Sequence, residues 1–150
     1  NGDLSRFESY GLPVIPDSLP DWPGPLAGIL SCLDWLAQSH CECDLLLSCA
    51  TDAPFISSDL AFRLLQARTA ENATLAQARS SGRRHPVFGL WPVSIRQDLR
   101  TALIEDGLRK IDDFTDRFSL AIADFAGHPD PFSNVNRPDD IAAAEAYFDS

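Results

Sequence analysis

The chain has 150 residues, 45% of them hydrophobic, which suffices for one buried core. Twelve basic residues against 22 acidic ones leave a net charge of −10, the wrong balance for a nucleic-acid-binding face, where phosphate neutralisation dominates affinity. No apolar run approaches the ~20 residues of a membrane span, and no basic segment with an apolar stretch and cleavage site stands at the front, so a soluble cytoplasmic protein without membrane contact is expected.

In chain order, Leu12-Pro13-Val14-Ile15 reads as a short strand delivering Asp17 to a loop. The proline-rich stretch 16–25 is loop, because its prolines cannot donate to a ladder. Pro25 suits the first position of a helix. Leu26, Ile29, Leu30, Leu33 and Leu36 recur at helical spacing, so that helix runs to about Gln38. The run Asp44 to Ala50 suits a strand buried on both faces and ends at Thr51-Asp52-Ala53-Pro54. Ser57 or Ser58 caps a helix towards Arg68. Ala73–Ala78 and Pro86–Trp91 read as strands around a polar turn, Arg79 to Arg84. Helices at about Ser94–Glu105 and Pro138–Phe148 enclose a strand near Leu120–Phe125. Alternating strands and helices mean an α/β layered fold with a mainly parallel sheet, in a single domain over 1–150. The chain begins mid-pattern at Asn1, without the glycine-rich loop that usually opens such sheets. A preceding unit on the order of 40–60 residues is therefore expected.

Four cysteines, Cys32, Cys41, Cys43 and Cys49, lack a second ligand pair for zinc. They read as reduced thiols, with Cys32 on an apolar helix face and Cys49 in a buried strand.

Several residues carry chemistry. Asp52 follows a buried strand, where open α/β sheets bind ligands, and a carboxylate there can hold Mg²⁺ against phosphates. The alternative is a turn cap. Gly24-Pro25-Leu26-Ala27-Gly28 opens a helix whose N-terminus favours anions, or is simply a capped start. Asn134-Val135-Asn136, with both amides on one side by alternation, meets phosphate or metal-bound water; alternatively Asn136 or Arg137 caps the helix at Pro138, with Asp139 and Asp140 complementing its dipole. Arg83-Arg84-His85 and Arg109-Lys110 are candidate anion clamps in an acidic chain, or solvated surface. His85-Pro86 is alternatively a satisfied edge residue.

The order of these segments strongly resembles the molybdenum cofactor guanylyltransferases. It runs Pro16-Asp17-Ser18-Leu19, Gly24-Pro25-Leu26-Ala27-Gly28, Thr51-Asp52-Ala53-Pro54-Phe55-Ile56, His85-Pro86-Val87-Phe88, Gly107-Leu108-Arg109-Lys110, then 132–140 with Asn134-Val135-Asn136-Arg137-Pro138. The resemblance implies a three-layer, Rossmann-like nucleotidyltransferase fold. It also implies transfer of GMP from GTP to the phosphate of molybdopterin, releasing pyrophosphate, with Mg²⁺. It marks Asp52 as magnesium ligand, Asp17 as a residue of the guanine-nucleotide pocket, and Gly24 and Gly28 as pocket walls. Asn134 and Asn136 become paired amides at the reacting phosphates, and Asn1 falls where the family's nucleotide-binding strand end stands. Arg109, Lys110 and Arg84 would hold the molybdopterin phosphate or the leaving pyrophosphate. The family's glycine-rich loop has no counterpart here.

Rival readings are a sister molybdopterin cytidylyltransferase, a sugar-1-phosphate nucleotidyltransferase, or a non-catalytic accessory domain binding a molybdoenzyme chaperone. The first two commonly carry acidic residues where Asn134 and Asn136 stand, which favours the guanylyl reading. Transient contact with molybdoenzyme chaperones is the expected protein partnership.

Overall fold

The structure, a computed structural model, describes residues 4–19, 24–39 and 42–148. The chain folds as two compact units, residues 1–46 with 91–117 and residues 47–90 with 118–150.

The first unit is built on helix α1 (Pro25–Gln38). Gly24 occupies its cap at φ +133°, a conformation side chains rarely adopt, and Pro25 takes the first turn, where its missing N–H costs nothing. Leu26, Ile29, Leu30 and Leu33 are buried on one face, each worth about 1.5–3 kcal/mol relative to exposure. That face meets α3 (Arg96–Ile104) and the 3₁₀ turn Val93–Ile95. Asp34, also buried, binds Arg96 at 3.4 Å and Arg100, and accepts from Ser18 Oγ at 3.3 Å. A short helix α4 (Ile111–Thr115), absent from the sequence reading, buries Ile111 and Phe114.

One expectation fails in this unit. Residues 12–15 form no strand: they follow a 3₁₀ helix, Leu4–Tyr10, and Leu12 is 71% exposed. Pro13 and Pro16 remove two amide donors within four residues, so the segment cannot sustain a ladder. Residues 20–23 of the proline loop lie outside the described residues.

The second unit carries most of a four-stranded mixed sheet in the order β1-β3-β2-β4, with β1 Leu45–Ser48, β2 Leu75–Ser80, β3 Arg83–Pro92 and β4 Leu120–Phe125. Strands β2 and β4 pair in parallel, from Leu75 opposite Leu120 to Ser80 opposite Phe125, whereas β2 and β3 form an antiparallel hairpin. Helix α2 (Leu60–Ala70) lays Leu60 and Leu64 on β2 and β4, and α5 (Pro138–Phe148) ends the described chain.

Three boundaries differ from expectation here. Strand β1 is an end strand with half-exposed residues, not one buried on both faces, and Cys49 beyond it is exposed. The cap of α2 is Asp59, not Ser57 or Ser58; Ser57 instead accepts the Leu60 amide through its carbonyl and donates its hydroxyl to Asp59. The polar turn shrinks to Ser81-Gly82, at φ +49° and +77°. Two left-handed residues give the twist a tight hairpin needs, so both strands run on into their arginines.

The thiol expectation is corrected as well: Cys32 and Cys49 are free, but Cys43 is disulfide-bonded, while Cys41 lies outside the described residues.

Candidate functional site

Asp52 stands in the turn after β1, half-buried, as its position at a strand's carboxyl end requires. Its carbonyl accepts the Val135 amide at 2.7 Å, which ties the turn to the middle of Asn134-Val135-Asn136. Asp52, Val135 and Glu145 line one hollow of about 440 Å³. The oxygen donors there suit a hard divalent cation, which typically takes one or two protein carboxylates and leaves the rest of its shell to water and phosphate. Among the described residues no group of three or more His, Cys, Asp or Glu gathers around a common point.

The capping role falls to another residue. Asp140 accepts the amides of Asn136 and Arg137 at 3.1 and 3.0 Å, closing the first turn of α5. Asn134 lines the adjoining cleft, whereas Asn136 is exposed and lines neither hollow.

That adjoining cleft measures about 600 Å³ and takes Arg83, Arg84, His85 and Asn134 into its wall. A bulge makes it. Gln77 faces Gly89 and Ala78 faces His85, so Pro86, Val87 and Phe88 are extra residues on β3. Pro86 has no amide to offer a ladder, and a bulge is where a strand accepts proline. Ser48 Oγ on β1 donates to the Val87 carbonyl at 2.5 Å and holds the bulge in place.

Within the cleft, Ser80 Oγ donates to Asp130 at 2.8 Å and lies 2.7 Å from His85 Nε2. Burial pushes the His85 imidazole below its ordinary range; Asp130 opposes that shift and Arg83 adds to it. Burial alone would raise the Asp130 carboxyl, but the Phe132 amide, the Ser80 and Ser81 hydroxyls and His85 together hold it below the usual value. Ser80 and Asp130 escaped the sequence reading, because nothing in a sequence pairs residues fifty positions apart. His-Pro inside a strand pattern was the one available sign of a bulge.

In the first unit, the structure brings Asp17 and Gly28 together: a Cβ on Gly28 would lie 3.9 Å from Asp17 Oδ1. Gly24 opens the same helix. Arg109 and Lys110 are exposed on the loop between α3 and α4, where Gly107 turns the chain at φ +65° and the Leu108 amide bonds the Ala102 carbonyl at 3.0 Å. Asn1 lies outside the described residues.

A family model, the MobA-like NTP transferase domain, matches residues 1–118. The chain is 49% identical over 146 residues to a molybdenum cofactor guanylyltransferase of Rhodopseudomonas palustris (strain BisB5), covering 97% of this chain and 70% of that protein. It is 41% identical over 148 residues to a protein of the same name from Mesorhizobium japonicum, covering 96% of this chain and 71% of that one. Among solved structures, molybdopterin-guanine dinucleotide biosynthesis protein A from Archaeoglobus fulgidus superposes with a TM-score of 0.73 at 22% identity, over 97% of this chain and 72% of that one, which shows a shared fold.

Proposed function

The chain belongs to the molybdenum cofactor guanylyltransferase family, and from that premise we propose that it joins GMP from GTP to the phosphate of molybdopterin. A molybdopterin phosphate oxygen attacks the α-phosphorus of GTP, the bond from that phosphorus to the bridging oxygen breaks, and pyrophosphate leaves. No protein nucleophile is needed, so catalysis is positioning and charge neutralisation.

The observation that carries the reading is the 2.7 Å bond from the Val135 amide to the Asp52 carbonyl. It ties the turn that carries Asp52, whose carboxylate would hold Mg²⁺, to the segment that carries Asn134, whose N–H groups would suit phosphate oxygens. Bound Mg²⁺ would supply neutralisation of charge on the nucleotide phosphates. Asn134 then orients the reacting phosphate by hydrogen bonding, with Asn136 as its neighbour on the same segment. Arg84, in the cleft that Asn134 lines, anchors the phosphate of molybdopterin. Asp17, Gly24 and Gly28 belong to the guanine-nucleotide pocket: the carboxylate accepts from the base N–H groups, and the glycines keep the wall clear of side chains. Arg109 and Lys110 serve the second substrate's phosphate. A cytoplasmic location and transient hand-over of product to a molybdoenzyme chaperone complete the proposal; among the described residues no helix is long and apolar enough to cross a membrane.

The test is Asp52→Asn in the full-length protein. The change removes charge and keeps shape, so folding should be retained while guanylyl transfer falls by about a hundredfold or more. Near-normal turnover at saturating Mg²⁺ would refute the metal-holding role. In parallel, Arg109→Ala and Lys110→Ala should raise KM for molybdopterin while leaving KM for GTP in place, and equal losses for both substrates would refute that assignment.

A further inference from the structure

The cleft beside Asn134 holds more polar machinery than phosphate anchoring uses. Ser80 is 2% exposed, so its hydroxyl has no bulk water to turn to. Asp130, as a carboxylate, can only accept, and it takes the Ser80 hydroxyl at 2.8 Å, the Ser81 hydroxyl at 3.2 Å and the Phe132 amide at 2.9 Å. A hydroxyl has one proton. With that proton committed to Asp130, Ser80 Oγ can meet His85 Nε2, 2.7 Å away, only as an acceptor. Nε2 therefore carries the hydrogen, and in the neutral ring Nδ1 is a bare acceptor. The ring is held by packing too, with centroids 4.7 Å from Phe132 and 6.3 Å from Phe88. Among the described residues only Nε2 of this ring has a hydrogen-bond partner.

We propose that Asp130 and Ser80 are positioning residues that lock His85 as its Nε2–H tautomer, so that its bare Nδ1 accepts a hydrogen bond from an N–H of the pterin ring of the second substrate. The inference rests on the guanylyl-transfer reading above and divides the cleft. An ionised phosphate offers only acceptor oxygens, which a bare imidazole nitrogen repels, so phosphate goes to Arg84 and Asn134. A pterin carries ring and exocyclic N–H donors, which Nδ1 suits. A tautomer fixed in advance by a buried hydroxyl and carboxylate accepts that donor without reorganising.

Two geometric mimics separate the ring nitrogens. In His85→Asn the amide reaches the place of Nδ1; in His85→Gln it reaches the place of Nε2 and keeps the Ser80 contact. In full-length protein, His85→Gln should raise KM for molybdopterin about tenfold, the loss of one hydrogen bond to substrate. His85→Asn should stay within about threefold, and KM for GTP should hold in both. Ser80→Ala should raise KM for molybdopterin severalfold and give a mixture of tautomers in the imidazole ¹⁵N spectrum. Wild-type protein should show a protonated Nε2 and an unprotonated Nδ1, with the Nδ1 resonance moved by a phosphate-free tetrahydropterin and not by inorganic phosphate. A protonated Nδ1 in the wild type would overturn the proposal. So would a response to phosphate alone, equal losses in the Asn and Gln variants, or a matching rise in KM for GTP. If wild-type protein forms no dinucleotide product, the guanylyl reading fails on that result, and the tautomer and pterin titration still decide this one.

Discussion

His85 and Asp130 show how much of the chemistry is set by single neighbours. Both groups bind protons less readily in the folded chain than in the unfolded one. As pH falls below the ordinary imidazole value of 6.5, the unfolded chain takes up a proton that folded His85 resists. Its contribution to stability is therefore full above that value and is lost as pH falls through the folded value. Asp130 behaves alike further down, keeping its contribution above the ordinary 3.8 and losing it on acidification below. The charge on Asp130 is the influence that raises His85, against burial and Arg83. Asp130→Asn should therefore move the His85 titration to still lower pH, read by NMR of the ring protons. A titration moved upward would mean that Asp130 does not face the imidazole as described. At the same scale, burial and then the Asp17 charge push the Cys32 thiol up, so it does not behave as an activated thiolate.

At the scale of elements, what could be read from the sequence was what local chemistry decides. Helix α1 runs from Pro25 to Gln38 as its periodicity and its proline require, β4 occupies Leu120–Phe125, and α5 starts at Pro138. Asp52 was legible for the same reason: an apolar run that stops at Asp-x-Pro announces a turn at a strand's end. What partners decide was not legible. The segment 12–15 has strand-like composition, but Pro13 within it and Pro16 just after it leave it no ladder. The burial of β1 depends on its place at the end of the sheet order, which a run of leucines does not encode. The three extra residues in β3, and the meeting of Ser80 with Asp130, arise from register and from a loop fifty residues away. Two substitutions probe these elements. Asp34→Ala should cost about 2 kcal/mol in urea unfolding, because it leaves Arg96 and Arg100 without their buried partner; a change within error would show the clamp to be dispensable. Gly82→Ala should cost about 1 kcal/mol, since φ +77° strains any side chain although space is open there.

At the scale of the whole molecule, a net charge of −10 has to be reconciled with two phosphate-bearing substrates. The reconciliation is local. Arg83 and Arg84 stand in one cleft wall, and Asp52, proposed to hold Mg²⁺, stands in the adjoining hollow. The acidic remainder repels polyanions such as nucleic acid, while a metal-bound nucleotide presents less charge. The chain spans about 70% of the length of the curated relatives it matches, and the full-length protein is the one in which activity should be measured. The direct measurement uses that protein with molybdopterin, Mg²⁺ and a nucleotide labelled at the α-phosphate, GTP in one reaction and CTP in a second. Label should appear in the dinucleotide product from GTP, with dependence on Mg²⁺, release of unlabelled pyrophosphate, and at least about tenfold less product from CTP. Label entering equally from CTP, or no labelled product from GTP with folded wild-type protein, would contradict the proposed function.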